Sequence, residues 1–219
     1  MQWLERFVEL GGDWQFMLAQ EGWRSAIPQV FHELGQLPYR HARFFIVARS
    51  LSEPLPCFEP KIPLDIREFQ VADLEMIRQV HRPSEANLCV RRLARGHKGL
   101  VAMYKDRIAG YAWGCPEFEP SLERVQFELC PGDVLCVDAF TVPDLRGNGV
   151  QTALASARMR LFRELGFQRV VAYIEINNYP SLAVWRKLGS QVVAQLDFTR
   201  LGPWRRVQHT PVHCDDGKR

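Results

Sequence analysis

The chain has 219 residues, 47% of them hydrophobic and 24% charged, a composition typical of a globular protein that excludes a disordered one. Its formal net charge of +3 is too small to indicate a nucleic-acid-binding protein. No apolar run approaches the roughly 20 residues that cross a bilayer, and the first residues lack a basic region followed by an apolar one, so we expect neither a membrane segment nor a signal peptide.

The first 60 residues predict a helical extension with one strand. Apolar residues at helical spacing predict helical structure over 1–36, and a strand is predicted over 43–49. Four prolines between residues 53 and 63 indicate a linker or an extended crossover. We therefore expect an N-terminal extension over 1–60, a main domain over 61–210 and a polar tail over 211–219.

The pattern of apolar residues predicts alternating strands and helices over the main domain. Strands are expected at 65–69, 99–104, 108–113, 125–129, 134–142, 170–176, 191–198 and 204–209. Helices are expected at 73–80, 84–95 and 150–165, and from Pro180 to about Gly189. Ser84 is a possible N-cap. Leu154 lies on the apolar face of the helix at 150–165, whereas Arg158 and Arg163 are interpreted as surface charges.

A glycine-containing turn joins the strand at 134–142 to the helix at 150–165. The segment 142–150 reads Val-Pro-Asp-Leu-Arg-Gly-Asn-Gly-Val. Glycines let the backbone approach an anion, and the free N–H groups of the first helical turn point toward it. The segment therefore predicts a phosphate-binding turn.

A second motif begins about 30 residues later at Asn178. Three, seven, nine and eleven residues after it stand Ser181, Trp185, Lys187 and Gly189. In this order and separation, the two motifs resemble the GCN5-related N-acetyltransferase (GNAT) family, most closely over 134–190 and more loosely over about 63–200. The resemblance implies an α/β fold with a mixed, largely antiparallel sheet flanked by helices, here preceded by the N-terminal helical extension.

The resemblance implies acetyl-CoA or another acyl-CoA as the cofactor. Its pyrophosphate is expected on the backbone N–H groups of Gly147, Asn148, Gly149, Val150 and Gln151, with Arg146 adding a charged contact. The pantetheine arm is expected along Phe140, Thr141 and Val142, where a backbone N–H would polarise the thioester carbonyl. Asn178, Ser181 and Trp185 complete the expected cofactor site, and the alternatives are a helix cap at Asn178 and a packing role for Trp185 beside the pantetheine arm.

Two carboxylates are candidates for the general base, because an amine acceptor must be neutral to attack. Asp138 matches a position where the family often has Glu, and an acid in an apolar strand is costly unless it is paired or functional. Glu175 is the second candidate. The family's Tyr, which protonates the leaving thiolate, is replaced by Trp185. Three alternatives follow: Tyr179 or another residue serves instead, the thiolate leaves unaided, or the chain binds the cofactor without catalysis.

A further departure from the family lies in the turn itself. Asp144 stands where the family commonly has Gln or Arg, which places a negative charge near the phosphates, and Gln151 stands where Gly or Ala is frequent. The six cysteines form no Cys-Xaa-Xaa-Cys pair, so we expect reduced thiols, a cytoplasmic location and no metal.

The predicted function is transfer of an acetyl or other acyl group from CoA to a primary amine by direct attack. The alternatives are a non-catalytic acyl-CoA-binding or regulatory module, and a transferase of the same fold with a different acyl or aminoacyl donor. Loops 81–98 and 115–132 are expected to select the acceptor. We expect no nucleic-acid or membrane partner, and a homodimer is the commonest oligomeric state.

Overall fold

The computed structural model describes residues 39–117, 127, 129–201 and 204–211. The helical structure predicted over 1–36 and nearly all of the polar tail lie outside these residues. The strand predicted at 125–129 lies mostly outside them too, and its two described residues, Phe127 and Leu129, are in no strand. The chain divides into two compact units, one containing residues 70–96 and the other containing residues 40–69 and those from 97 onward.

The unit with residues 70–96 contributes two helices, α1 (Asp73–Val80) and α2 (Pro83–Ala94). The bounds of α1 are those predicted. The N-cap of α2 is Arg82, so the prediction of Ser84 as the cap is wrong, because Pro83 already occupies the first turn. Proline is favoured there since its missing N–H would have no partner within the helix. Among the helices of the described residues, none is long and apolar enough to cross a membrane.

The other unit contains a mixed sheet of eight strands. These are β1 (Tyr39–Ser50), β2 (Asp65–Glu68), β3 (Lys98–Tyr104), β4 (Arg107–Cys115), β5 (Asp133–Thr141), β6 (Arg169–Glu175), β7 (Gln191–Leu201) and β8 (Trp204–Pro211). Their order is β2-β3-β4-β5-β6-β1-β7-β8. The pair β5–β6 is parallel, and the pairs β1–β6, β2–β3, β3–β4, β4–β5 and β7–β8 are antiparallel. The predicted fold class, a mixed and largely antiparallel sheet, is confirmed.

Strand β1 lies inside the sheet, between β6 and β7. It contains the strand predicted over 43–49, which the sequence analysis assigned to the extension rather than to the main domain. Both of its faces are covered, because Ile46 packs in one hydrophobic cluster and Val47 in another. A strand buried on both faces is typical of a sheet interior, so β1 is an integral part of this sheet.

Two helices cover one face of the sheet, α3 (Val150–Glu164) and α4 (Tyr179–Lys187). The first cluster beneath α3 contains Leu100, Ala102, Ala109, Ala112, Leu145, Val150 and Leu154. A second cluster joins α4 to α3 and the sheet through Trp185, Met159 and Val47. Gly114 permits close approach of α3, because a side chain there would collide with the Phe162 ring.

A bidentate ion pair fastens the start of the parallel strands. Arg169 donates from Nε and Nη2 to Asp133 at 2.7 Å each, and Asp133 also accepts from the Cys130 N–H at 2.9 Å. The hydrogen bond from Arg169 to Asp133 raises the pKa of Arg169, and burial opposes this effect. Asp133 is 5% exposed, so its charge depends on this partner.

Replacing Asp133 with alanine is expected to lower the free energy of unfolding, measured in urea, by about 2–3 kcal/mol, because Arg169 loses its partner. The matched control is Asp144→Ala, which breaks a pair with Arg107 of the same 2.7 Å length but with both side chains half exposed. That change is expected to cost less than about 1 kcal/mol. Equal losses in the two variants would contradict a structural role for the Asp133 pair.

Candidate active site

The parallel strands β5 and β6 pair over only part of their length. Residues 133–135 of β5 pair with residues 169–171 of β6. Both strands then continue, β5 to Thr141 and β6 to Glu175, each paired with its neighbour on the other side. The strands therefore part toward their carboxyl ends, and we call the gap between them the wedge. Such gaps are where open α/β sheets bind ligands.

A β-bulge shapes the β5 side of the wedge. Tyr111 of β4 pairs with Phe140 and Trp113 pairs with Val137, so Asp138 and its successor stand opposite a single residue. Asp138 has φ +46, in the left-handed region that Asp tolerates better than most residues. Bulges near active sites redirect side chains, and this one sets the orientation of the candidate base.

The three candidate catalytic residues lie near the carboxyl end of the parallel strands, on three different elements. Asp138 is half-buried on β5, Glu175 is the exposed last residue of β6, and Tyr179 is the first residue of α4. The Tyr179 side chain is 71% exposed. Asp138 is therefore the least solvated of the three.

The predicted phosphate turn follows β5 directly. After a 3₁₀ turn at Pro143–Leu145, Gly147 and Gly149 adopt φ of +80 and +83, and Gly149 is the N-cap of α3. Within the described chain no side chain caps this helix, since Asn148 Nδ2 donates to the Leu145 carbonyl at 3.1 Å. The first-turn N–H groups, which include those of Val150 and Gln151, have no partner within the helix. The turn thus offers the donors that an anion requires.

Side chains of the turn connect it to the end of β5. Arg146 Nε donates to the Thr141 carbonyl at 3.3 Å, and Gln151 Nε2 donates to the Phe140 carbonyl. The structure therefore brings the predicted strand residues and turn residues together in one place. The Val142 N–H donates to Ala109 of β4 at 3.0 Å and so points away from the wedge.

The negative charge of Asp144 has a partner. Arg107 Nη2 donates to Asp144 Oδ2 at 2.7 Å across 37 positions of sequence. This ion pair offsets the repulsion that Asp144 was expected to exert on a phosphate. No local pattern in the sequence indicates the pair, because the two residues lie on different elements.

The proline-rich segment 53–63, which we call the strap, lies against the phosphate turn. The Lys61 N–H donates to the Asn148 carbonyl at 2.9 Å, and Ser156 of α3 donates to the Pro56 carbonyl at 2.9 Å. A Cβ placed on Gly149 would lie 2.7 Å from Cε1 of Phe58. The segment predicted to be a linker or an extended crossover is therefore a wall of the candidate site.

The second motif forms the start and the buried face of α4. Asn178 is the N-cap and accepts from the Ser181 N–H at 3.2 Å, with Pro180 in the first turn. Trp185 is 6% exposed and packs in the core with Leu188. In the described chain, Asn178 and Ser181 thus act as a helix cap, and Trp185 packs between α4 and α3.

Arg158 is not a surface charge, and that interpretation was wrong. Its side chain is buried, Nη1 donates to the Trp113 carbonyl at 2.7 Å, and the guanidinium carbon lies 5.8 Å from the Trp185 ring centroid. The signal that indicates burial is helical spacing, because Arg158 lies four residues after Leu154 and four before Phe162, both of them buried.

Comparison with known proteins agrees with this geometry. A model of the acetyltransferase (GNAT) family matches residues 64–190, more than half of the chain. The chain therefore belongs to the acetyltransferase (GNAT) family. A GCN5-related N-acetyltransferase from Sphaerobacter thermophilus superposes with a TM-score of 0.54 at 16% identity, covering 86% of this chain and 58% of that one. A putative GNAT-family acetyltransferase from Novosphingobium aromaticivorans gives 0.51 at 15% identity, covering 74% and 64%.

A mycothiol acetyltransferase from Saccharomonospora viridis is 43% identical over 51 residues. That stretch is 23% of this chain and 17% of the relative. The match is thus confined to a small part of both proteins, and the two solved structures are likewise covered over less than two thirds of their length. At the identities of the solved structures the likeness shows the fold.

Proposed function

We propose that the chain transfers an acetyl or other acyl group from CoA to a primary amine by direct attack. The observation that carries this proposal is the wedge between β5 and β6, which opens beside an uncapped helix N-terminus at a glycine turn. The arrangement offers one place for an extended chain and an adjacent place for phosphates. Membership of an acetyltransferase family supports the reaction class.

The phosphates of CoA would bind at the turn. Gly147 and Gly149 let the backbone come close, and the N–H groups of residues 147–151 would donate, aided by the dipole of the 15-residue helix α3. Among the described residues, a Cβ on Gly147 would meet no atom within 4 Å, so the turn has room on that side. Arg146 and Lys61, both exposed beside the turn, add positive charge.

The acyl end would lie along β5. Because N–H groups alternate in direction along a strand, and that of Val142 points to β4, the N–H of Thr141 faces the wedge. We assign to Thr141 the polarisation of the thioester carbonyl. The ring of Phe140, on the same strand, lies 5.5 Å from the ring of Tyr111 of β4, measured between centroids.

Asp138 is the proposed general base. It stands on the bulge beside the wedge, half-buried, and a carboxylate there would take the proton that the attacking amine loses. Glu175 is the second candidate, from the facing strand. Tyr179 would protonate the leaving thiolate only by turning inward from its exposed position. The reaction does not require such an acid, because a thiol with a pKa of about 8.5 can leave as the thiolate.

A non-catalytic acyl-CoA-binding module is the second candidate function. The observation that favours it is Trp185, buried where the family has a proton donor, since an indole N–H is not an acid near neutral pH.

In either case we place the protein in the cytoplasm. Within the described part of the chain, Cys57, Cys89, Cys115, Cys130 and Cys136 form no disulfide, which suits a reducing compartment.

Calorimetric titration with CoA, acetyl-CoA and pantetheine tests the proposed site. We expect micromolar binding of both CoA species and binding of pantetheine weaker by on the order of 100-fold, because pantetheine lacks the phosphates and their charge-assisted hydrogen bonds. Equal affinities for pantetheine and CoA would contradict a phosphate site at residues 147–151. Failure of every CoA species to bind would contradict both candidate functions.

A further inference from the structure

Arg158 is a buried cation without a balancing anion in the described chain. It is 3% exposed, and within the described residues its hydrogen bond runs from Nη1 to the Trp113 carbonyl. Its Nε has no hydrogen-bond partner among the described residues, and no carboxylate there forms an ion pair with it. A buried unpaired charge is strongly destabilising, so its presence calls for a role in packing or in function.

The guanidinium lies between the sheet and α4, at the level of the strands where the wedge begins. Trp113 pairs with Val137, the residue just before the bulge, and the parallel pairing of β5 with β6 ends two residues earlier, at Leu135. The guanidinium carbon also lies over the Trp185 ring of α4, 5.8 Å from its centroid. Arg158 therefore connects β4, at the residue paired with Val137 beside the bulge, to the helix position at which the family carries a proton donor.

The charge of Arg158 bears on the pKa of one nearby thiol, that of Cys136, although burial has the larger effect. Cys136 of β5 is buried, and burial raises the pKa of its thiol above the ordinary value, while the charge of Arg158 offsets part of that rise. A positive charge that favours one thiolate at this position favours any other thiolate brought near it. Cys136 itself is buried within the strand, but the wedge next to it is open.

We propose that Arg158 stabilises the thiolate that leaves the acyl donor, in place of a proton donor. This inference depends on the proposed function. In the reaction, the amine nitrogen bonds to the thioester carbonyl carbon, the carbon–sulfur bond breaks, and sulfur departs with the electron pair as a thiolate. The excess proton on nitrogen passes to Asp138. Arg158 acts through the field of its buried charge, with Trp185 stacked against it.

Other titratable groups border the wedge and bear on the test. Asp138 on β5 and Glu175 on β6 are negative and would raise the pKa of a thiol, and Tyr179 on α4 is exposed. Lys187 at the end of α4 is exposed, and Cys136 is buried within reach of the Arg158 charge, which lowers its pKa against the effect of burial. A lowered thiol pKa at this site therefore requires Arg158 to outweigh the two carboxylates.

The thiol of bound CoA provides a direct readout that needs no acceptor. We expect thiolate absorbance to show that CoA on the wild-type protein ionises at a pH about one to three below that of free CoA. Arg158→Met is expected to abolish this difference, and Arg158→Lys to retain part of it. At pH 6, where the thiol is protonated, all variants should bind CoA within about threefold, because the phosphate turn is unchanged. Arg163→Met, an exposed arginine of the same helix, is the matched control.

The outcomes separate the two proposals. If CoA does not bind the wild-type protein, the proposed function and this inference both fail. If CoA binds and its thiol ionises at the same pH as free CoA, this inference alone fails. Because that result needs only the wild-type protein, it tests the inference even when Arg158→Met does not fold. Cooperative unfolding in urea is measured for each variant first, to show that the variant is folded. The inference is also overturned if the thiol of CoA bound to a folded Arg158→Met protein has the same pKa as on the wild-type protein.

Discussion

Replacing Asp138 with asparagine is expected to lower kcat for acyl transfer by about 10²- to 10⁴-fold, the usual contribution of a general base. The Kd for CoA is expected to stay close to that of the wild type, because Asp138 is not among the proposed phosphate contacts. Asparagine keeps the shape of the side chain and tolerates positive φ, so the bulge at φ +46 should persist. The measurement is release of free CoA thiol from acetyl-CoA with a panel of primary amines.

Glu175→Gln is the matched control for this experiment, because Glu175 is the candidate carboxylate on the facing strand. If Glu175→Gln rather than Asp138→Asn lowers kcat, the base is on β6. If wild-type protein binds CoA and no amine supports turnover, the non-catalytic binding module is favoured. A wild-type rate in Asp138→Asn would show that Asp138 is not the base.

Replacing Gly149 with alanine is expected to lower the free energy of unfolding by about 2–5 kcal/mol. One part is backbone strain, since Gly149 has φ +83, and the other is overpacking, since the new Cβ would lie 2.7 Å from the Phe58 ring. Displacement of the turn is expected to weaken CoA binding by about 10- to 100-fold through lost charge-assisted hydrogen bonds. Urea unfolding and calorimetry measure the two effects.

Gly147→Ala separates strain from contact. Gly147 has nearly the same φ, +80, but open space around its Cβ position among the described residues. It is expected to cost only about 1–2 kcal/mol. Combining Gly149→Ala with Phe58→Ala should restore part of the loss, because the clash is removed. Equal losses at the two glycines, with no coupling to Phe58, would mean that the strap does not press on the turn.

Local patterns predicted the elements and the two motifs well. The bounds of α1 were predicted to the residue, and the glycine turn and the cap at Asn178 follow from short-range chemistry visible in a few residues. Periodicity and capping depend on neighbours within one or two turns, so a single sequence contains them.

Contacts between distant parts of the chain were not predictable in this way. The placement of β1 depends on pairing with β6, whose residues lie 119 to 131 positions away, and the strap meets α3 through Ser156 and Pro56, 100 positions apart. Arg158 is the intermediate case. Its spacing from Leu154 indicates burial, but a charged side chain argued against it, and only the Trp113 carbonyl and the Trp185 ring explain why the cost is tolerated.

The position of β1 has a consequence for how the protein is made. Synthesis produces β1 before the other seven strands of the sheet, whereas the two strands that flank it, β6 and β7, follow only after β2 to β5. Until β6 and β7 emerge, both edges of β1 present unpaired backbone donors and acceptors, and β1 cannot join the strands β2 to β5. Pairings this distant in sequence slow folding and prolong the exposure of unpaired, aggregation-prone strand edges. A fragment that starts at residue 61 would leave β6 and β7 without the strand between them, however complete its family motifs.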